Sequence, residues 1–366
     1  MKLFRCSHCG QFIYFENNRC VQCGYALGFE TELLELLPLV PEGEGAYVLF
    51  GAGGGVRYRY CANEVYGVCN WLVPADSGEQ FCRACTLNRT IPNLSDPEYR
   101  VRWRSIETAK HRLVYSLLRL GLPLVSKGED AAQGLSFDFV ADGGADQKVL
   151  TGHLNGLITI NIAEANDIER EMARKAMDEV YRTVLGHFRH EVGHYYWDRL
   201  IASGPQLEPF RRLFGDERQD YGAALNRHYQ KGPQADWNQQ FISAYAGAHP
   251  WEDWAETWAH YLHIIDTLET AYSFGLSVRP ALGDEAGVLC ADIKADPYQV
   301  ESFAEILQLW LPLTFAMNSM NRSMGLNDLY PFVISARVVE KLAFIHQVCH
   351  VAGGVNRLME PKTIKA

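Results

Sequence analysis

The stretch from Gly186 to Leu200, GHFRHEVGHYYWDRL, contains His190, Glu191 and His194 in the order H-E-x-x-H. On a helix this spacing sets both imidazoles one turn apart on one side, where they can share a metal ion. Two histidines do not complete a catalytic zinc site, which takes three protein ligands and leaves a fourth position to water. The rest of the chain is therefore read for a third ligand.

A metzincin arrangement would need glycine at 197 and histidine at 200, and Trp197 and Leu200 stand there instead. The next candidate is HPWEDWAETWAHYLH, from His249 to His263. Pro250 suits the first position of a helix, so Glu252 falls in the first turn, where the helix dipole favours an ionised carboxylate. Glu256 follows one turn later on the same face. A solvent-facing acidic helix start would carry the same residues, but carboxylates among Trp251, Trp254, Trp258 and Tyr261 need a cation. Glu252 is the expected third ligand, with Asp253 and Glu256 as alternatives. Glu256 is otherwise expected to accept the free N–H of a ligating histidine and fix its tautomer. His187, His260 and His263 are read as packing or supporting residues.

Upstream of the motif, Asn166 with Glu169 three residues on reads as a helix start. Apolar residues at Ile168, Met172, Ala176, Val180, Val184 and Phe188 then predict one long helix running into H-E-x-x-H. Before it, LSFDFVAD and GLITINIAEA read as strands, and GLITINI is expected to form the sheet edge lining the cleft, with substrate added as an antiparallel strand. A helix is expected from Ser95 or Asp96 as N-cap, with Pro97 at its first position, up to Gly121 and Pro123.

Eight of the ten cysteines crowd into the first 85 residues. Cys6, Cys9, Cys20 and Cys23 form two C-x2-C pairs with Gly10 and Gly24 directly after them, the spacing of a zinc ribbon. Such a module is too short for an apolar core, so zinc would supply much of its folding free energy. Cys61, Cys69, Cys82 and Cys85 read as a second four-thiolate zinc site, the alternative being scattered structural cysteines. GAGGG, at 51 to 55, lacks the Lys-Ser/Thr of a phosphate loop and reads as a turn between two β-prone runs. Cysteine pairs in place of disulfides, and an N-terminus MKLFRCSHCG without an apolar core, suggest a cytoplasmic protein.

The 366 residues carry a formal net charge of −10, which opposes a general attraction to nucleic acid or to anionic membranes. Residues 1 to 100 hold eight Lys+Arg against eleven Asp+Glu, with no basic stripe. No run of about 18 apolar residues occurs, so no membrane span is expected. The expected architecture is α+β: a zinc ribbon at 1–29, a second four-cysteine module at 45–94, and a mostly helical domain with a small mixed sheet at 95–366.

The motif RHEVGHYYWDRL, the helix bearing E-x-x-x-E, and the N-terminal cysteine pairs together resemble one family. They are similar to the gluzincin branch of zinc metallopeptidases, and more closely to bacterial zinc-binding metallopeptidases with an N-terminal zinc ribbon. The resemblance implies a zincin-like fold, peptidase activity and a peptide or protein substrate. In such a site zinc on His190, His194 and Glu252 activates water, and Glu191 takes its proton. In some gluzincins a tyrosine ahead of the third ligand leans over the metal; Tyr245 matches that placement, with His249 second and a packed loop tyrosine as the plain alternative. Three zinc ions per chain are expected, one catalytic and two structural. The ribbons would recruit a protein partner or support the catalytic domain. The alternative function is a zinc-ribbon scaffold whose zincin-like domain is catalytically silent.

Overall fold

The computed structural model describes residues 2–52, 55–143, 148–176, 179–281 and 289–354. These fall into two compact units, one up to Ala173 and one from Arg174 onward. Helices and sheets are mixed, with strands concentrated in the first unit.

The first unit opens with two short strands, β1 (Phe4–Arg5) and β2 (Phe12–Ile13), paired antiparallel around the first cysteine turn. Both C-x2-C turns close alike: Gly10 N–H donates to Cys6 C=O, and Gly24 N–H to Cys20 C=O. Gly10 and Gly24 have φ of 78° and 75°, the left-handed region that an L side chain rarely adopts. A five-stranded antiparallel sheet follows in sequence order: β3 (Ala26–Glu30), β4 (Glu35–Gly43), β5 (Ala46–Leu49), β6 (Tyr58–Tyr60) and β7 (Leu72–Pro74). Leu39, Leu49, Tyr58 and Leu72 form its core. The glycine-rich turn expected between two β-prone runs joins β5 to β6, although Gly53 and Gly54 lie outside the described residues.

Helix α1 (Pro97–Arg119) starts as its sequence dictates, with Asp96 accepting from Glu98 N–H and Pro97 in the first turn. Its apolar face buries Trp103, Ile106, Leu113, Val114 and Leu117. A mixed sheet holds β8 (Asn88–Thr90), β9 (Ser136–Val140), β10 (Gly152–Leu154) and β11 (Leu157–Asn161) in the order β10-β11-β9-β8.

This order corrects one expectation. GLITINI contributes β11, which is antiparallel to β10 on one side and parallel to β9 on the other, so it is an interior strand. Asn155 and Gly156 explain why. Both have positive φ (49° and 82°) and join Leu154 to Leu157 in a two-residue hairpin, which brings β10 over the side expected to be open. With both backbone edges of β11 paired, no added strand can dock there.

The long helix expected from Asn166 is also broken. Asn166 does cap α2 (Asp167–Ala176), accepting from Ile168 and Glu169 N–H. Ile168 and Met172 are nonetheless 72% and 67% exposed, so the apolar spacing there marks no buried face. A separate helix, α3 (Val184–Leu200), begins at Thr183, whose extended backbone and hydroxyl, accepting from Gly186 N–H, form a new N-cap.

The second unit is helical: α3, then α4 (Leu207–Phe214), α5 (Tyr221–Lys231), α6 (Trp237–Gln240), a 3-10 turn at Tyr245–Ala248, α7 (Pro250–Ser273), α8 (Phe303–Ser323) and α9 (Ala336–Gly354), with a small antiparallel pair β12 (Ser277–Val278) and β13 (Ala291–Asp292). Helix α7 is its centre, burying Trp254, Trp258, Tyr261, Leu262 and Ile265. Trp254 Nε1 donates to Gly193 C=O at 2.8 Å, tying α7 to α3 inside the H-E-x-x-H. Gly193 lets the two helices meet, since a Cβ there would lie 3.0 Å from Ala255 Cα and 3.3 Å from Trp258 Cβ. Among the described residues, no helix is long and apolar enough to cross a membrane.

Candidate functional site

Helix α3 carries His190 and His194 one turn apart, with their Nε2 atoms 3.3 Å from each other. From the first turn of α7, Glu252 reaches the same point: Oε2 lies 3.1 Å from His190 Nε2 and Oε1 3.7 Å from His194 Nε2. Glu252 is buried, and its Oε2 accepts no hydrogen bond. Pro250 at the start of α7 and His249 as its N-cap set this turn, His249 Nδ1 accepting from Trp251 N–H.

The surroundings of His190 decide what this cluster fits. Its Nδ1 is 2.7 Å from Glu256 Oε1, and a carboxylate there takes an N–H. The proton therefore sits on Nδ1 and the Nε2 lone pair faces His194 and Glu252. A lone pair, a second imidazole and a buried carboxylate oxygen converging on one point are mutually repulsive without a cation. Two imidazole nitrogens on one tetrahedral zinc, at about 2.0–2.1 Å from it, would stand about 3.4 Å apart, close to the separation seen here. The donor set fits zinc.

Electrostatics agree with that donor set. Burial disfavours a charged carboxylate at Glu252, yet positive charge on His194 and His190, which a metal ion on their Nε2 atoms would supply in place of protons, outweighs it and holds the group well below the usual range. Glu191, also buried on α3, is shifted upward, chiefly by burial and also by Glu252 and Glu256, against the pull of both imidazoles. A carboxylate whose proton affinity is raised beside a metal site is suited to proton transfer.

Glu256 spends its second oxygen on Ser243, whose hydroxyl donates at 2.6 Å. Asp253, the other alternative ligand, points away to Lys341 at 2.6 Å in a buried ion pair. Burial pushes its carboxyl up to about 7 despite that lysine. The ring of Tyr245 lies 6.2 Å from that of His190, and burial, with the charge of Glu252 adding to it, keeps its phenol protonated far beyond neutral pH. His249 faces Gln219 C=O through Nε2 and is occupied as a cap. His260 pairs with Tyr330 through Nδ1 at 2.8 Å, and His263 packs against the rings of Trp310 and Tyr330.

Sequence reasoning missed Tyr221. Its hydroxyl donates to Glu252 Oε1 at 2.6 Å from the first turn of α5. The signal was Asp220, which caps that helix by accepting from Ala223 N–H. Ser243 was missed too, and carries no local pattern that marks it.

In the first unit, the sulfurs of Cys6, Cys9, Cys20 and Cys23 form one cluster and those of Cys61, Cys69, Cys82 and Cys85 another, each within 4.8 Å throughout. Separations of 3.8 Å for Cys6–Cys23, 3.6 Å for Cys9–Cys20 and 3.7 Å for Cys69–Cys82 match the roughly 3.8 Å edge of a zinc tetrathiolate with bonds of about 2.3 Å. All four cysteines of the second cluster are buried, whereas Cys9 of the first is exposed.

Residues 99–348 match the family described as "Putative zinc-binding metallo-peptidase", and residues 3–96 match a zinc-ribbon domain. Relatives in Mycobacterium bovis and in two strains of Mycobacterium tuberculosis, named only as uncharacterized proteins, are each 43% identical over 355 residues, covering 95% of this chain and 95% of theirs. No solved structure matches the chain.

Proposed function

The chain belongs to this family of zinc-binding metallopeptidases, and from that premise we propose that it hydrolyses peptide bonds at a zinc held by His190, His194 and Glu252. The observation that carries the reading is the convergence of His190 Nε2, His194 Nε2 and a buried Glu252 oxygen, with Glu191 beside them. The domain from 95 to 366 is proposed to be zincin-like and of the gluzincin type. Zinc bound there would lower the pKa of a water and polarise the scissile carbonyl. Glu191 is the general base, its raised proton affinity suiting it to take a proton from water and pass it to the leaving amine. Glu256, steadied by Ser243, orients His190. Tyr245, protonated at working pH, donates to the carbonyl oxygen as charge develops on it.

The tetracysteine clusters, in the ribbon at 1–29 and the module at 45–94, are proposed as two structural zinc sites, making three ions per chain. They would support the peptidase domain or recruit a protein partner. The proposed setting is the cytoplasm, where such thiolates stay reduced, and the substrate a peptide or protein.

The test is a proteome-derived peptide library incubated with the zinc-loaded chain and with Glu191→Gln. Cleavages made by the wild type and absent from a folded, zinc-retaining variant support the reading. Equal cleavage by the variant rejects Glu191 as base. No cleavage by either favours the silent scaffold.

A further inference from the structure

Helix α1 brings His111 against the second cysteine cluster. Its Nε2 lies 3.3 Å from Cys69 Sγ and 3.8 Å from Cys85 Sγ, while its Nδ1 lies 2.7 Å from the carbonyl oxygen of Glu107 one turn earlier. A carbonyl can only accept, and so can a metal-bound thiolate, so with zinc in the cluster both ring nitrogens carry protons and His111 is an imidazolium, pinned in place by the carbonyl. His111 is 4% exposed, under the ring of Trp71 at 5.1 Å. Nothing in the peptidase reading uses it.

The four sulfurs already supply a complete tetrahedral donor set, and His111 joins only the Cys69–Cys85 edge from outside. Four thiolates on one divalent ion leave two net negative charges in a buried place, which raises the value of every donor aimed at sulfur. Backbone N–H groups of Trp71, Cys82 and Cys85 already point at Cys69, Cys61 and Cys82 Sγ, each at 3.4 Å. Lys110 adds a buried ammonium, but Glu107 takes it up at 2.8 Å and also accepts from Trp103 Nε1 at 3.0 Å and Asn88 Nδ2 at 2.7 Å. The acidic side chain thereby braces the turn whose carbonyl orients His111.

We propose that His111 is a positioning residue of the second zinc centre, donating from Nε2 to the Cys69 and Cys85 thiolates and making this centre the slower of the two to lose zinc to thiol-reactive electrophiles. A thiolate's reactivity lies in its lone pairs, and a donor that shares them lowers their availability. The ribbon centre offers the contrast, with Cys9 exposed and Cys23 partly so.

The inference rests on zinc occupying both tetracysteine sites, which metal analysis of the full wild-type chain checks separately. Two measurements test it. The first follows zinc release to a chromogenic dye during alkylation by N-ethylmaleimide, after the dye has removed the histidine-bound zinc. One equivalent should leave quickly and one slowly; His111→Phe should speed the slow phase by about tenfold, and His111→Gln, which retains a donor, by less. Equal release from both centres in the wild type, or an unchanged slow phase in folded His111→Phe, overturns the proposal. The second needs no variant: with 113Cd in place of zinc and 15N-labelled histidine, a coupling between the His111 Hε2 proton and cadmium is expected. A direct 15N–113Cd one-bond coupling would make His111 a ligand, and the absence of any coupling would remove it from the centre; either result overturns the donor role.

Discussion

Glu256 Oε1 accepts from His190 Nδ1–H at 2.7 Å while its Oε2 accepts from the Ser243 hydroxyl at 2.6 Å, so one side chain fixes which nitrogen of His190 keeps a free lone pair. Supports of this kind are typically worth 10–100-fold in metal affinity. Glu256→Ala should therefore weaken zinc binding at the His190–His194–Glu252 centre by roughly that factor. Glu252→Ala should remove one metal equivalent outright and leave the tetracysteine sites filled. Metal analysis after dialysis against a mild chelator checks both; an empty site in Glu256→Ala with a full one in Glu252→Ala would reverse the assignment.

The two tyrosines near the site should separate kinetically. Tyr245→Phe removes a donor assigned to the developing charge, so kcat should fall more than KM rises. Tyr221→Phe removes the hydrogen bond on Glu252 Oε1, and should act first on zinc affinity, with kcat recovering at saturating zinc. Steady-state kinetics across a zinc titration distinguish them.

Gly193→Ala tests the helix crossing behind the proposed metal ligands. Its new methyl would lie 3.0 Å from Ala255 Cα, a backbone atom that can yield only if α3 and α7 separate. Overpacking of this kind costs about 1–3 kcal/mol. The urea midpoint should fall, and zinc at the histidine centre should be held less tightly, because His194 and Glu252 are carried on the two helices being forced apart.

His260 should contribute to acid instability. Burial, with the charge of Arg189 helping and Glu256 opposing, lowers its pKa to about 4 from an ordinary 6.5, and Tyr330 hydrogen-bonds its Nδ1. A depressed histidine leaves the unfolded chain binding the proton first. Its contribution is fully present above pH 6.5 and lost as pH falls toward 4, by at most about 3 kcal/mol. His260→Gln should flatten the fall in urea midpoint between pH 7 and pH 4.5 relative to the wild type; an unchanged slope would show that His260 does not titrate in this way.

Much of the site was readable because its residues obey local rules. His190 and His194 are one helical turn apart, Pro250 announces the helix that carries Glu252 and Glu256, and the C-x2-C-Gly turns announce themselves. What escaped depends on partners distant in sequence. Tyr221 meets Glu252 across 31 positions, and Ser243 meets Glu256 from an irregular turn. The two errors in the fold had local causes that were outweighed by pattern. Asn155-Gly156 signals a hairpin at the head of GLITINI, and that turn is what pairs its outer edge. Apolar spacing through Ile168 and Met172 suggested a continuous helix, yet spacing alone does not say that a face is covered.

Strand β3 begins three residues after Cys23 and is zipped to β4 from Ala26↔Leu39 to Glu30↔Glu35. A protease cut after Glu30 that releases the ribbon would strip β4 of this neighbour, baring a row of amide and carbonyl groups beside Leu36 and Leu39, both now buried. An uncapped strand of that length is a template for other chains. The clipped protein should therefore self-associate, visible as rising light scattering at micromolar concentration, so that the ribbon doubles as a guard against aggregation.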